Sequence, residues 1–191
     1  MSLLKQLAFA TIVATSVVAC TANDEPANQR GTGATPGATG TAGAADNVDR
    51  EFLQNITAAN QREIALGQLA QQKATNPSVR EFAEMMVRDH QQAGDELRQV
   101  LSKHTIQLPV STDDTNDARE RLADLTGAEF DREFMNTMVD EHEKAVEMVR
   151  DEAEDNDTHA DIRQWASKTL PTLQQHLDRA KQLDEMLERQ K

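Results

Sequence analysis

One cysteine, one tryptophan and no tyrosine among 191 residues leave little scope for disulfides, thiol chemistry or aromatic platforms. With Cys20 alone, no intramolecular disulfide forms. Trp165 has no aromatic partners spaced to stack on a base or a sugar, so it is assigned to the core. Basic residues are also scarce: 20 Lys and Arg stand against 33 Asp and Glu, giving a formal charge of −13 and a pI near 4.7. That balance excludes nucleic acid as a partner, because phosphates demand an excess of cationic side chains. It equally excludes a basic membrane-binding face. No phosphate-binding loop, nucleophile beside a base or zinc-protease motif is present. Beyond residue 45, no stretch alternates as a strand would, and glycine is rare.

What is present is a phrase that occurs twice. Arg80-Glu81-Phe82-x-x-x-Met86-Val87-x-Asp89-His90-x-x-Ala93 returns as Arg132-Glu133-Phe134-x-x-x-Met138-Val139-x-Glu141-His142-x-x-Ala145. The offset is constant (132 − 80 = 52; 142 − 90 = 52). In each copy Phe, Met and His stand at i, i+4 and i+8, one stripe of an α-helix, which places a histidine on an apolar, inward face.

Four long helical patterns follow from such stripes. The first runs from about Val48 to Thr75, with Phe52, Ile56, Ala59, Glu63, Leu66 and Ala70 inward. Asn76 as N-cap and Pro77 at the first helical position restart the chain. The second runs to about His104 with Val79, Phe82, Met86, His90, Ala93, Leu97 and Leu101 inward, and Leu108-Pro109 stops it. A short amphipathic helix carrying Ala118, Leu122 and Leu125 begins near Asp113-Asp114 and ends before Gly127. Thr126 with Glu129 forms a capping box for the third long helix, whose stripe is Phe130, Phe134, Met138, His142, Ala145 and Val149. Thr158 with Asp161 is a weaker box for the fourth, which carries Ile162, Trp165, Thr169, Leu173, His176, Ala180 and Leu183. Pro171 inside it predicts a kink just before His176. His104 and His159 fall near helix ends and are assigned as solvated cap residues. Long helices with one apolar stripe each bury those stripes against one another, so the fold is all-α, a four-helix bundle with a short extra helix in the crossover between the second and third long helices.

The polar residues that interrupt the stripes fall at one level. Glu63, His90, His142 and His176 each lie about 13 to 17 residues into their helices, which at ~1.5 Å per residue spreads them over only about 6 Å of height. Imidazole nitrogens and a carboxylate in one layer are a donor set for a transition metal such as iron, manganese, zinc or copper. Asp89 and Glu141 precede two of the histidines and point about 100° away, toward neighbouring helices, as bridging ligands or as acceptors that fix a tautomer. The same residues also suit a metal-free buried hydrogen-bond network. Met86 and Met138 are either thioether donors to copper(I) or flexible core filler.

Upstream, residues 1–19 read as a secretory leader, with Lys5 before an apolar run from Leu7 to Ala19 that is too short to span a membrane. Residues 20–45, rich in Gly, Ala, Thr and Pro, read as a flexible tether. The folded domain is 46–191. Val17-Val18-Ala19-Cys20 resembles the lipobox of bacterial lipoproteins, which implies cleavage before Cys20 and acylation of that residue. Thr21, rather than Asp, implies the outer membrane, so the resemblance describes a periplasmic domain held there by lipid. A protein partner and an oligomeric state are left open.

Glu63 with Gly67-Gln68-Leu69-Ala70, Asn76-Pro77-x-Val79-x-x-Phe82-Ala83-x-x-Met86-Val87-x-Asp89-His90, Leu108-Pro109, Gly127-x-x-Phe130-Asp131, Met138-Val139-x-x-His142 and Leu170-Pro171-x-Leu173-x-x-His176-Leu177 resemble a family of bacterial envelope proteins of unknown function, grouped with the ferritin-like superfamily. The resemblance runs from about Phe52 to Leu183 and implies a ferritin-like bundle. Phe134-Met135-x-x-Met138-Val139-x-x-His142-x-x-Ala145-Val146-x-Met148 is also similar to small periplasmic helical proteins linked to the handling of metals such as copper. Ferroxidase sites use Glu-x-x-His on two helices, whereas Val87, Val139 and Leu173 stand three before these histidines, which departs from oxygen-activating di-iron chemistry. The function expected is therefore metal binding for storage, sensing or detoxification. Its rivals are a metal-free structural or interaction lipoprotein in envelope stress and a metal-dependent, peroxidase-like enzyme.

Overall fold

The computed structural model describes residues 42–103 and 114–190, with side chains described for 50–103 and 117–190. The leader, Cys20 and the tether up to residue 41, together with His104, Leu108-Pro109 and Asp113, lie outside the described residues. All regular structure among the described residues is α-helical: α1 Ala42–Lys73, α2 Pro77–Leu101, α3 Asp114–Ala123, α4 Gly127–Glu154 and α5 Ala160–Glu188. The chain is all-α, and among the described residues no helix is long and apolar enough to cross a membrane. α1 begins earlier than its apolar stripe, at Ala42, where Ala42, Ala44 and Ala45 supply the best helix-forming side chain.

The helix ends test the capping expectations directly. Asn76 is the N-cap of α2, its side chain accepting from the Ser78 N–H at 2.9 Å with Pro77 at N1. The two boxes do not form. Thr126 is the N-cap of α4 but makes no side-chain cap bond. Gly127 enters α4 at φ +62°, a left-handed start suited to glycine that departs from the first-turn geometry a box requires. At α5 the N-cap is His159, again without a side-chain cap bond. The Thr158 hydroxyl instead donates to Glu152 Oε1 at 3.0 Å, and both residues are buried beneath the α4–α5 turn. Pro171 does not end α5. It faces solvent, where water can take the Ser167 carbonyl that loses its helical donor.

All the predicted inward positions are buried except Ala93, which is half-buried, and the short-helix residue Leu125, which packs partly buried against the core. α4 packs on α5, α1 on α2, α1 on α4 and α2 on α5, while α3 lies against α1 and α4. The apolar side chains form two clusters. One contains Leu66, Phe82, Met86, Phe130, Phe134, Met138 and Leu183; the other contains Phe52, Ile56, Leu97, Val149, Ile162, Trp165 and Leu173. α1 and α5 pass from the second cluster to the first along the chain, and α2 and α4 pass from the first to the second. Each of the four long helices is therefore antiparallel to the long helices it packs on. Between the clusters, on every long helix, stands one ionisable residue: Glu63, His90, His142 or His176.

One buried carboxylate holds the α1–α2 corner. Asp131, in the second turn of α4, accepts from Thr75 N at 3.0 Å, Thr75 Oγ1 at 2.5 Å and Asn76 N at 2.8 Å, and is 1 % exposed. Removing it deprives the Thr75 and Asn76 backbone donors of their acceptor in a part-buried corner that water can reach, at a cost of about 1–2 kcal/mol. Asp131→Ala is expected to lower unfolding free energy by that amount in chemical denaturation, with Asp131→Asn retaining part of it. A variant as stable as the parent would contradict this role.

Candidate metal centre

Each ionisable residue reaches the middle of the core because it replaces an apolar residue in a helical stripe. Glu63, His90, His142 and His176 are 2 %, 4 %, 0 % and 2 % exposed. The three imidazoles meet with ring centroids 5.6 Å apart for His90 and His142, 5.4 Å for His90 and His176, and 5.5 Å for His142 and His176. One potential ligand atom from each lies within 4.8 Å of the others.

One nitrogen of each ring is tied to an acceptor. His90 Nδ1 lies 3.0 Å from Asn60 Oδ1, and His142 Nδ1 lies 2.9 Å from the Met138 carbonyl in its own helix. His176 Nε2 lies 3.1 Å from Asp89 Oδ2 on α2. An acceptor at one ring nitrogen draws the proton to it and leaves a lone pair on the other. Those other nitrogens, His90 Nε2, His142 Nε2 and His176 Nδ1, are buried and have no hydrogen-bond partner in the protein. Buried polar atoms are almost always satisfied, so three such atoms on three converging rings, with Glu63 Oε1 also lacking a hydrogen bond in the same layer, fit a shared cation that the imidazoles would hold.

Burial sets the charge of the layer. Desolvation, reinforced by His142 and His176, holds His90 well below the ordinary imidazole value. The same burial, with His176 beside it, lowers His142 to about 4, against a smaller opposing effect of the Met138 carbonyl. His176 is lowered by burial as well, partly countered by Asp89. Glu63 moves the other way, to about 8, because of burial and then Glu141, with Arg62 opposing. Its oxygens lie 3.2 Å from His90 Nδ1 and 3.5 Å from His142 Nδ1. At neutral pH these are contacts between a carboxylic acid and neutral imidazoles, not ion pairs.

The structure thus brings His90, His142 and His176 together with Glu63 behind two of them and Asp89 behind the third. Glu141 is directed elsewhere: it accepts from Arg62 Nε at 2.9 Å and approaches Lys144. Met86 and Met138 are buried in the first apolar cluster. Asn60 was not legible as a site residue, although it sits three before Glu63 on one helix side. Its amide is seated against Gly94, where an added Cβ would come within 2.8 Å of Asn60 Nδ2.

A family model described as "Domain of unknown function (DUF4142)" matches residues 34–183. Among solved structures, the chain is similar to two DUF305 proteins. One, a fragment from Deinococcus radiodurans, is 15% identical with a TM-score of 0.62, covering 74% of this chain and 95% of that one. The other, a putative secreted protein from Streptomyces coelicolor, is 16% identical with a TM-score of 0.63, covering 75% and 94%. It is also similar to CopM in an Ag-bound form, at 24% identity and a TM-score of 0.57, covering 70% and 93%. CopM in a Cu(II)-bound form matches at 19% identity and a TM-score of 0.58, covering 72% and 95%. At these identities the likeness is one of fold. No curated protein matches the chain.

The lowered histidines make stability pH-dependent. The unfolded chain takes up protons near ~6.5, before the folded one, so His142 costs stability as pH falls from there toward its folded value of about 4. His142→Gln lacks that penalty. In denaturation of metal-free protein, the stability gap between wild type and His142→Gln is therefore expected to shrink, in the variant's favour, between pH 7 and pH 5. A gap independent of pH would contradict the buried neutral imidazole.

Proposed function

The chain belongs to the DUF4142 family, and we propose that it binds one transition-metal ion in its helical core through His90, His142 and His176, for storage, sensing or detoxification. The observation that carries this reading is the set of three buried, unpartnered ring nitrogens on imidazoles whose opposite nitrogens are held by Asn60, the Met138 carbonyl and Asp89. A ligating histidine characteristically donates its other N–H to such an acceptor, which fixes its tautomer and orientation. Neutral imidazoles without a carboxylate among the donors favour copper or zinc over manganese. The fold likeness to CopM, seen in Ag-bound and Cu(II)-bound forms, is consistent with that preference. Glu63, neutral in the apolar core, is placed to ionise when a cation arrives and so to limit the buried net charge.

The ring of antiparallel contacts α1–α2–α5–α4, with the long connection between α2 and α4, supports the ferritin-like four-helix bundle as the architecture. The lipobox-like Val17-Val18-Ala19-Cys20 supports a periplasmic domain, 46–191, carried on a tether from a lipidated Cys20 at the outer membrane. A metal-free reading has its own support: the Glu63 acid lies beside the Nδ1 atoms of both His90 and His142, as in a polar layer that fixes helix register in a structural lipoprotein. A peroxidase-like enzyme is favoured by no contact around the three rings.

Metal titration separates the two readings. The purified protein is expected to take up one equivalent of copper(I) or zinc and to melt at higher temperature, gaining ~2.7 kcal/mol at a hundredfold excess over Kd. His142→Ala should abolish that shift. Because burial lowers the imidazole values, affinity should persist below the ~6.5 at which exposed histidine sites begin to lose metal. A melting temperature unmoved by manganese, iron, zinc and copper would favour the metal-free layer. Independently, Cys20→Ser is expected to release the protein from the membrane fraction; retention there would contradict the lipid anchor.

A further inference from the structure

A centre buried between two apolar clusters needs a path to solvent if its ion is to be exchanged. Across the α1–α4 side, Arg62 and Glu141 form a half-buried ion pair over the layer. The α2–α5 side is different. There a cleft of about 240 Å³ opens from the surface, and His90 and His176 line it together with Asp89, Gln92, Glu96 and Thr172. Both histidines are more than nine-tenths buried, and each carries one of the unpartnered ring nitrogens. Further out, Glu96 on α2 is held by Lys168 on α5, with Nζ 2.7 Å from Oε2, and accepts from Gln92 at 3.2 Å. The lysine ammonium thus already occupies a cation position on Glu96, and Asp89 supplies a second carboxylate, with Oδ2 against His176 and Oδ1 accepting from Arg88 at 3.0 Å.

Resting on the metal-binding reading above, we propose that the α2–α5 cleft is the route by which the cation reaches and leaves the histidines, with Lys168 the cation it must displace from Glu96. Carboxylates along a narrow cleft concentrate cations and raise their rate of capture, and a resident ammonium opposes this. The route therefore sets the rate of exchange and leaves the equilibrium affinity to the three imidazoles.

Stopped-flow uptake of zinc, and its release to excess chelator, tests this in the full protein. Thr172→Phe, which fills the cleft from α5, should slow uptake and release together by about tenfold or more while Kd stays unchanged. Gln92→Trp, from the α2 side, should do the same. Glu96→Gln should lower the uptake rate on the order of tenfold at low salt, and Lys168→Ala should raise it. Filled variants that exchange zinc at the wild-type rate would overturn the route while leaving the centre intact. Absence of uptake by the wild-type protein would overturn the metal-binding reading and the route with it.

Discussion

Taking one carboxyl and three imidazoles out of water is the constraint around which this protein is organised. An isolated buried charge costs several kcal/mol, so the layer is tolerated only if its members are neutral or share a counter-charge. The protein uses the first solution at neutral pH. Burial raises Glu63 to about 8 and lowers His142 to about 4, so both sides of each contact lose their charge together. What burial cannot supply is a partner for every ring nitrogen, and the three left over stand on rings that meet, with one ligand atom of each within 4.8 Å of the others. The same desolvation that makes the layer costly prepares three lone pairs for a cation.

The remaining structure keeps those lone pairs in place. The two apolar clusters clamp the helices above and below the layer, so the register of each stripe is fixed twice. Asp131 pins the α1–α2 corner to α4, and the Thr158–Glu152 bond pins the α4–α5 turn. Trp165 donates to the Ala93 carbonyl at 3.3 Å, joining α5 to α2 one turn beyond His90. These contacts lie outside the layer, yet each limits the relative sliding of helices that would separate the imidazoles.

Helix periodicity made the stripes, the four buried ionisable residues and their common level legible in the sequence, because a 3.6-residue repeat fixes which side chains face inward whatever the neighbours do. The capping boxes at Thr126 and Thr158 rest on spacing, and spacing does not determine whether a hydroxyl is aligned with the first-turn donors. The left-handed Gly127 and the buried Glu152 decide those two cases. Asn60 and the Met138 carbonyl were invisible for a related reason: an acceptor for a ring nitrogen is chosen by rotamer and helix rotation, which a stripe does not specify. Asp89 and Glu141 show both outcomes from equivalent places in the repeat. One faces His176, and the other faces Arg62.

The most direct test is histidine side-chain ¹⁵N NMR of the protein, first without metal and then with one equivalent of zinc or copper(I). His90 and His142 should carry the proton on Nδ1 and His176 on Nε2, and on addition of metal the three bare nitrogens should shift together, saturating at one equivalent. Mixed tautomers in the free protein, or ring nitrogens unmoved by either ion, would contradict the claim that three prepared lone pairs form a single site.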